Sequence, residues 1–261
     1  MDLKKGMLPW RPEAFPLRME SYLVEAALPA MPTGEWGHVG TNSIPWGMLG
    51  NDRAGCCVST GFCHQEIVWA HATGRPLPPF DDQAALANSS RALVSSGGRP
   101  YDPRDPSTDR GLDPGRAAMW WQDVGLTDAA GVDHRIKTFV AADGVEQLQI
   151  GGYLFGCTGC GFNLPDNADA AFSAGEPWDD ISQPPNPRNG HYVPLVGGNS
   201  RRMLMFVTWG GLQAASKRWV SKYLAGGVVQ MSRAYLLATG KTPEALDEPA
   251  LDRDILLLRN S

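Results

Sequence analysis

Cys57 follows a short polar turn, Gly50-Asn51-Asp52-Arg53-Ala54-Gly55-Cys56, and opens a run of apolar and small residues that continues through Phe62 and Trp69. Such a run reads as a buried helix with the cysteine in its first turn. There the positive end of the helix dipole favours thiolate over thiol, and the thiolate is the nucleophile. Asn51, six residues upstream, carries an amide able to donate to a developing oxyanion. Far downstream, His191 opens a second apolar run, Tyr192-Val193-Pro194-Leu195-Val196, that reads as a strand. A thiol on a helix and an imidazole on a distant strand form the layout of a nucleophile with its base. The imidazole would take the thiol proton, hold the ion pair and later protonate the leaving group. The competing reading makes Cys57 a small buried hydrophobe and His191 a satisfied histidine at a strand start.

Three segments carry a family resemblance. Trp46-Gly47-Met48-Leu49-Gly50-Asn51-Asp52 leads into the cysteine pair, Gly190-His191-Tyr192-Val193-Pro194-Leu195-Val196-Gly197 forms the middle, and Val207-Thr208-Trp209-Gly210 follows a further apolar run. The pattern resembles papain-like cysteine peptidases, with an oxyanion-hole amide six residues before the nucleophile and a histidine at a later strand start. It is more closely similar to uncharacterised papain-like proteins of bacteriophages, prophages and bacteria. In those, a GND-x-x-G-x-C opening, a GH-x-V-P-x-V-G middle and a V-T-W-G close recur.

The resemblance implies an α+β, papain-like fold, with a helical subdomain packed on an antiparallel β-sheet subdomain and the site in the cleft between them. It implies a cysteine peptidase or amidase without cofactor, acting on a peptide or isopeptide-like amide. Cys57 is the nucleophile in preference to its neighbour Cys56, because it stands six residues from Asn51 and opens the apolar run. His191 is the base, and Asn51 with the Cys57 backbone N–H forms the oxyanion hole. The family's ring-orienting Asn falls on Val207, which cannot accept a hydrogen bond. Thr208 is the candidate third member, although strand alternation counted from Val207 turns it the other way; a backbone carbonyl is the other substitute. The rival function is a capsid or tail component of a phage particle that uses a degenerate papain-like fold to dock neighbouring virion proteins.

These residues need elements to place them. Residues 1–44 read as an irregular, Pro-rich N-terminal arm anchored by Trp10 and Trp36, residues 45–240 as the papain-like domain and residues 241–261 as a C-terminal tail. Helices are expected from Cys57 to about His71, ended by Thr73-Gly74-Arg75-Pro76, then from Pro79 to about Ser95 with Asp81 or Asp82 as N-cap, and from Gly115 to about Val124. A polar loop, Ser96 to Gly115, separates the last two and reads as a lid or partner surface. Ile136–Ala141 reads as a strand and Asp143–Gly151 as a short helix, with a strand starting at Gly152. Tyr192–Val196 and Leu204–Thr208 read as a hairpin joined by Gly197-Gly198-Asn199-Ser200. Lys217 to about Leu224 is amphipathic, and Val228–Leu236 is read as the last strand. The stretch Thr242–Leu258 reads as a helical cap broken near Pro249.

Bulk properties narrow the partners. In 261 residues, 43% are hydrophobic and 20% charged, ordinary for a globular chain able to bury a sizeable core. A formal net charge of −5 without a Lys/Arg-rich run argues against nucleic-acid binding. No apolar run approaches the roughly 20 residues of a membrane span. The opening Met1-Asp2-Leu3-Lys4-Lys5-Gly6 has no apolar core behind it, so cytoplasmic synthesis without a signal peptide is expected, and a virion component would share that trait. Five cysteines do not suggest a disulfide framework. Cys157-Thr158-Gly159-Cys160 has C-x-x-C spacing, but a zinc site needs two more ligands, so these read as buried strand cysteines and no metal is expected. His64 and His71 share a helix face and read as structural. Trp120-Trp121 reads as core and rim, and Asp179-Asp180 as a solvated turn.

Overall fold

The computed structural model describes residues 3–28, 30–38, 44–239 and 246–259. The first segment runs irregularly over the surface through 3-10 turns at Pro12–Ala14, Met19–Ser21 and Glu25–Ala27. Trp10 anchors it by stacking on Phe15, ring centroids 4.6 Å apart. Trp36 lies in a two-residue strand, β1 (Trp36–Gly37), paired with Gly197 and Gly198.

Helix α1 (Cys57–Ala72) is buried without interruption from Cys57 to Ala70. Both sides are covered, so the helix is not amphipathic and even its polar residues His64, Gln65 and Glu66 are buried. Thr73 caps the end by donating its hydroxyl to Trp69 O (2.7 Å), and Gly74 turns the chain at φ +66°. Helix α2 (Asp82–Ser95) is capped by Asp81, whose Oδ1 accepts the Ala84 N–H at 2.7 Å. Helix α3 (Pro114–Asp123) is capped by Asp113, with Pro114 in the first position. A small hairpin, β2 (Leu126–Thr127) and β3 (Asp133–His134), follows.

The remaining elements are β4 (Ile136–Ala142), α4 (Gly144–Phe155), β5 (Thr158–Asn163), α5 (Ala168–Ser173), β6 (Gly190–Gly198), β7 (Leu204–Thr208), β8 (Gly211–Ala215), α6 (Lys217–Tyr223), β9 (Leu224–Ser232), α7 (Arg233–Thr239) and α8 (Glu248–Arg259). One antiparallel sheet takes the order β4-β9-β5-β6-β7-β8, with β1 pairing on β6. Alternation along the strands splits the core in two. Tyr192, Val196 and Val207 pack with α1 and α3, while Val193, Leu195 and Phe206 pack on the opposite face with Leu148 of α4 and Val220 of α6.

Two expectations are corrected. Gly152–Phe155 continues α4 rather than starting a strand. The helix ends at Gly156, where φ is +85°, and Gly151 and Gly152 allow close packing on Val229, Thr158 and Trp36. Pro249 sits in the first turn of α8, where it has no N–H partner to lose, so it starts that helix instead of breaking it. The last strand begins and ends earlier than expected, and α7 follows it. Residues 240–245, 29 and 39–43, parts of the expected tail and arm, lie outside the described residues.

Candidate functional site

Cys57 stands at the first position of α1, against the start of β6. Its sulfur accepts the Tyr192 backbone N–H at 3.5 Å, so the 191–192 peptide abuts the thiol directly. A buried ring of side chains fixes this approach. Tyr192 donates its hydroxyl to Gln65 Oε1 (3.1 Å), Gln65 Nε2 donates to Gln230 Oε1 (2.9 Å), and Gln230 Nε2 donates back to the Tyr192 hydroxyl (2.6 Å). The ring ties α1, β6 and β9 together with every member satisfied. Gly61 makes room for it, since a Cβ there would meet the tyrosine ring at 2.6 Å.

Cys56 points elsewhere. Its sulfur lies 3.7 Å from Leu49 O and 3.4 Å from the Thr60 hydroxyl, and burial pushes its thiol up to about 12. Cys157 is also buried, with Gln65 Nε2 3.7 Å from its sulfur, while Trp69 donates to Phe155 O nearby (2.7 Å). Burial drives the Cys157 and Cys160 thiols well above the ordinary range. Among the described residues no group of three His, Cys, Asp or Glu is arranged to hold a metal.

His191 is buried, and Thr208 Oγ1 stands 2.7 Å from its Nε2. Its Nδ1 is buried without a hydrogen-bond partner. The expectation that Thr208 faces away is overturned by the register. Leu195 pairs with Phe206 across β6 and β7, so even-numbered residues of β7 share a face with odd-numbered residues of β6. Thr208 therefore falls on the His191 side, and Val207 packs on the α1 side. Immediately after, Trp209 adopts φ +43°, costly for a bulky residue, and lays its ring on the imidazole with centroids 4.4 Å apart and planes 18° apart. Trp178 braces Trp209 edge-on at 6.2 Å and stacks on Trp219 at 4.7 Å.

Residues Leu3 to Leu8 run across this site, a feature the sequence did not signal. Lys4 N–H donates to Asn51 O (3.1 Å), Met7 N–H to Gly190 O (3.1 Å), Leu8 N–H to Leu112 O (2.9 Å), and Gly6 O accepts from Leu112 N–H (2.8 Å). The Gly6 backbone also lowers the Cys57 thiol pKa, against the effect of burial. Leu112 belongs to the long loop before α3, which thus forms one wall of the groove. Asn51 does not point into open space. Its Nδ2 donates to Ala54 O and to Lys4 O, both at 3.2 Å. Trp209 Nε1 donates to the same Lys4 O at 3.1 Å, so one carbonyl oxygen is held between two side-chain N–H groups. Lys5 pairs with Asp169, and its ammonium sits 5.8 Å from the Trp209 ring centre.

This cover sets the electrostatics. Burial pushes the Cys57 thiol up to about 11, against the pull of the Tyr192 N–H and the Gly6 backbone. Burial lowers His191 to about 3, and the Lys5 charge adds to the effect. In the covered state both groups are neutral.

No protein-family model matches the chain, and no curated protein matches it in sequence. Solved structures do match in shape. Xylellain, a cysteine protease from Xylella fastidiosa, superposes with a TM-score of 0.62 at 11% identity over 89% of this chain and 98% of its own. Procathepsin B S9 from Trypanosoma congolense gives 0.60 at 12% identity over 89% and 87%. The proform of Amb a 11, a ragweed pollen cysteine protease, gives 0.51 at 12% over 81% and 69%. The chain therefore has a papain-like α+β fold, with α1 and α2 packed against an antiparallel sheet.

Proposed function

We propose that the protein is a cysteine peptidase or amidase whose groove is covered by its own residues 3–8 in this state. The observation that carries the reading is the meeting of the Cys57 sulfur with the Tyr192 backbone N–H, next in sequence to a histidine held at Nε2 by Thr208 and unpartnered at Nδ1. Displacing residues 3–8 removes the Lys5 charge from His191 and admits water. Both pKa displacements then relax toward an ion pair. It also frees the Asn51 N–H that holds the Lys4 carbonyl, leaving it to serve a substrate oxyanion. Cys57 would attack the acyl carbon. The proton taken by His191 would pass to the leaving amine, and water would release the acid. Peptides are the substrate class this fold favours.

The test is alkylation of the full chain with iodoacetamide near pH 7, with sites located by mass spectrometry. Cys57 labelling that is lost in His191→Ala supports the reading, with a rate above that of a free thiol expected once residues 3–8 are displaced. Labelling indifferent to His191 refutes it.

A second reading draws on the cover itself. A neutral, sealed thiol suits a docking module, such as a structural component of a phage particle, in which residues 3–8 are permanent packing. It predicts that Cys57 stays unreactive under every condition that leaves the protein folded.

A further inference from the structure

The groove beside Cys57 has the width of a bare backbone. A Cβ on Gly6 would fall well inside contact distance of the Gly55 carbonyl, which belongs to the rigid turn before α1. On the same wall a Cβ on Gly55 would come within 2.5 Å of Lys5 O. Across the groove, a Cβ on Gly111 would collide with Gly6 O, and one on Gly190 with Met7 O. The obstructing atoms on these walls are main chain, so no rotamer change relieves the crowding. Three wall glycines and one occupant glycine thus meet along residues 5–7, beside the turn that leads into Cys57.

We propose that this groove selects an extended peptide with glycine at the residue lying against Cys57, so that the bond attacked is the amide on the carbonyl side of that glycine. The inference rests on the peptidase reading and adds its substrate class. On one side Met7 is buried among core side chains and Leu8 lies near the surface, and on the other Lys5 pairs with Asp169. In the reaction the Cys57 sulfur forms a bond to the glycyl carbonyl carbon and the C–N bond breaks. The amine departs with the proton carried by His191, and water cleaves the thioester to a free glycine carboxylate. Residues 3–8 fill the groove with the one residue type that fits it at position 6.

The test uses two affinity labels on the full chain, acetyl-leucyl-glycyl chloromethyl ketone and its alanyl counterpart, with iodoacetamide as a size-independent control. The sulfur displaces chloride in each case. Rates at Cys57 are read by mass spectrometry in the natural chain over long incubation and in Gly6→Val, where the added side chain expels the cover. Glycyl labelling at least about tenfold faster than alanyl is expected in both proteins. Equal glycyl and alanyl rates at a Cys57 that iodoacetamide labels in a His191-dependent way overturn the glycine selection and leave the peptidase reading intact. Failure of all three reagents at Cys57 in both chains overturns the peptidase reading and the selection with it. Should Gly6→Val not fold, the rate ratio in the natural chain decides alone.

Discussion

Thr208 and His191 share one face of the sheet, with the hydroxyl 2.7 Å from the imidazole Nε2 and the Trp209 ring covering the pair. The hydroxyl can either accept from or donate to Nε2, and under the peptidase reading Thr208 is a positioning residue for the ring. Thr208→Val keeps the shape and removes the partner. It should lower the rate of Cys57 alkylation at pH 7 toward that of His191→Ala. It should also cost about 1 kcal/mol of stability in denaturant unfolding. Thr208→Asn, which restores an acceptor, should recover part of the alkylation rate. No difference between the valine and asparagine variants would remove the positioning role.

Lys5 and Asp169 tether the covering segment from its exposed side. A partly exposed ion pair is worth up to about 1 kcal/mol. Asp169→Asn should therefore raise Cys57 alkylation roughly 2- to 5-fold without shifting the thermal midpoint appreciably. An unchanged rate would mean that the backbone hydrogen bonds alone hold the segment down.

The Tyr192 ring of hydrogen bonds is closed and buried, so deleting one hydroxyl leaves Gln65 and Gln230 short of partners. Tyr192→Phe should cost about 1–3 kcal/mol in urea unfolding. It should also loosen the sulfur's contact with the 191–192 peptide, read as faster amide hydrogen exchange at position 192. A variant as stable as the parent would show that water replaces the lost group.

Three buried groups, Glu66, His64 and His191, shape the pH dependence of stability. Burial raises the Glu66 carboxyl from 4.5 to about 8, against the opposing charge of Arg75. A raised folded value gives stability that is present below 4.5 and lost as pH rises through 8. Glu66→Gln should flatten that alkaline limb and gain at least about 1 kcal/mol at pH 8. Burial lowers His64 from 6.5 to about 4 and His191 from 6.5 to about 3. These histidines favour folding fully above pH 6.5 and lose their contribution as pH falls below it, toward 4 and 3. The Glu66→Gln chain should show this acid limb cleanly in thermal midpoints taken from pH 8 to pH 4. A flat profile there would show that the imidazoles titrate alike in folded and unfolded chains.

Local signals read well where backbone chemistry is local. The start of α1 was marked by a glycine-bearing turn before an apolar run, and its end by Thr73 and Gly74; both lie where the sequence put them. The strand carrying His191 was equally plain. Errors came where a residue's partner is distant. The apolar, glycine-containing run near Gly152 fits helix and strand alike, and packing against β9 decided for helix. Alternation along its own strand misplaces Thr208, and the register against β6 settles its facing. Residues 3–8 carry no motif. Their role arises from main-chain hydrogen bonds to Asn51, Leu112 and Gly190, which any sequence with a glycine at the right step could form.

Strand order has a consequence for how the chain is made. Leu224–Ser232 lies between two strands synthesised long before it, and Ile136–Ala142 joins the sheet only through that late arrival. During translation the first of these edges waits unpaired while more than eighty further residues are added. Released fragments ending near residue 220 should remain open to proteolysis around Phe139, and fragments extended past Ser232 should become resistant there.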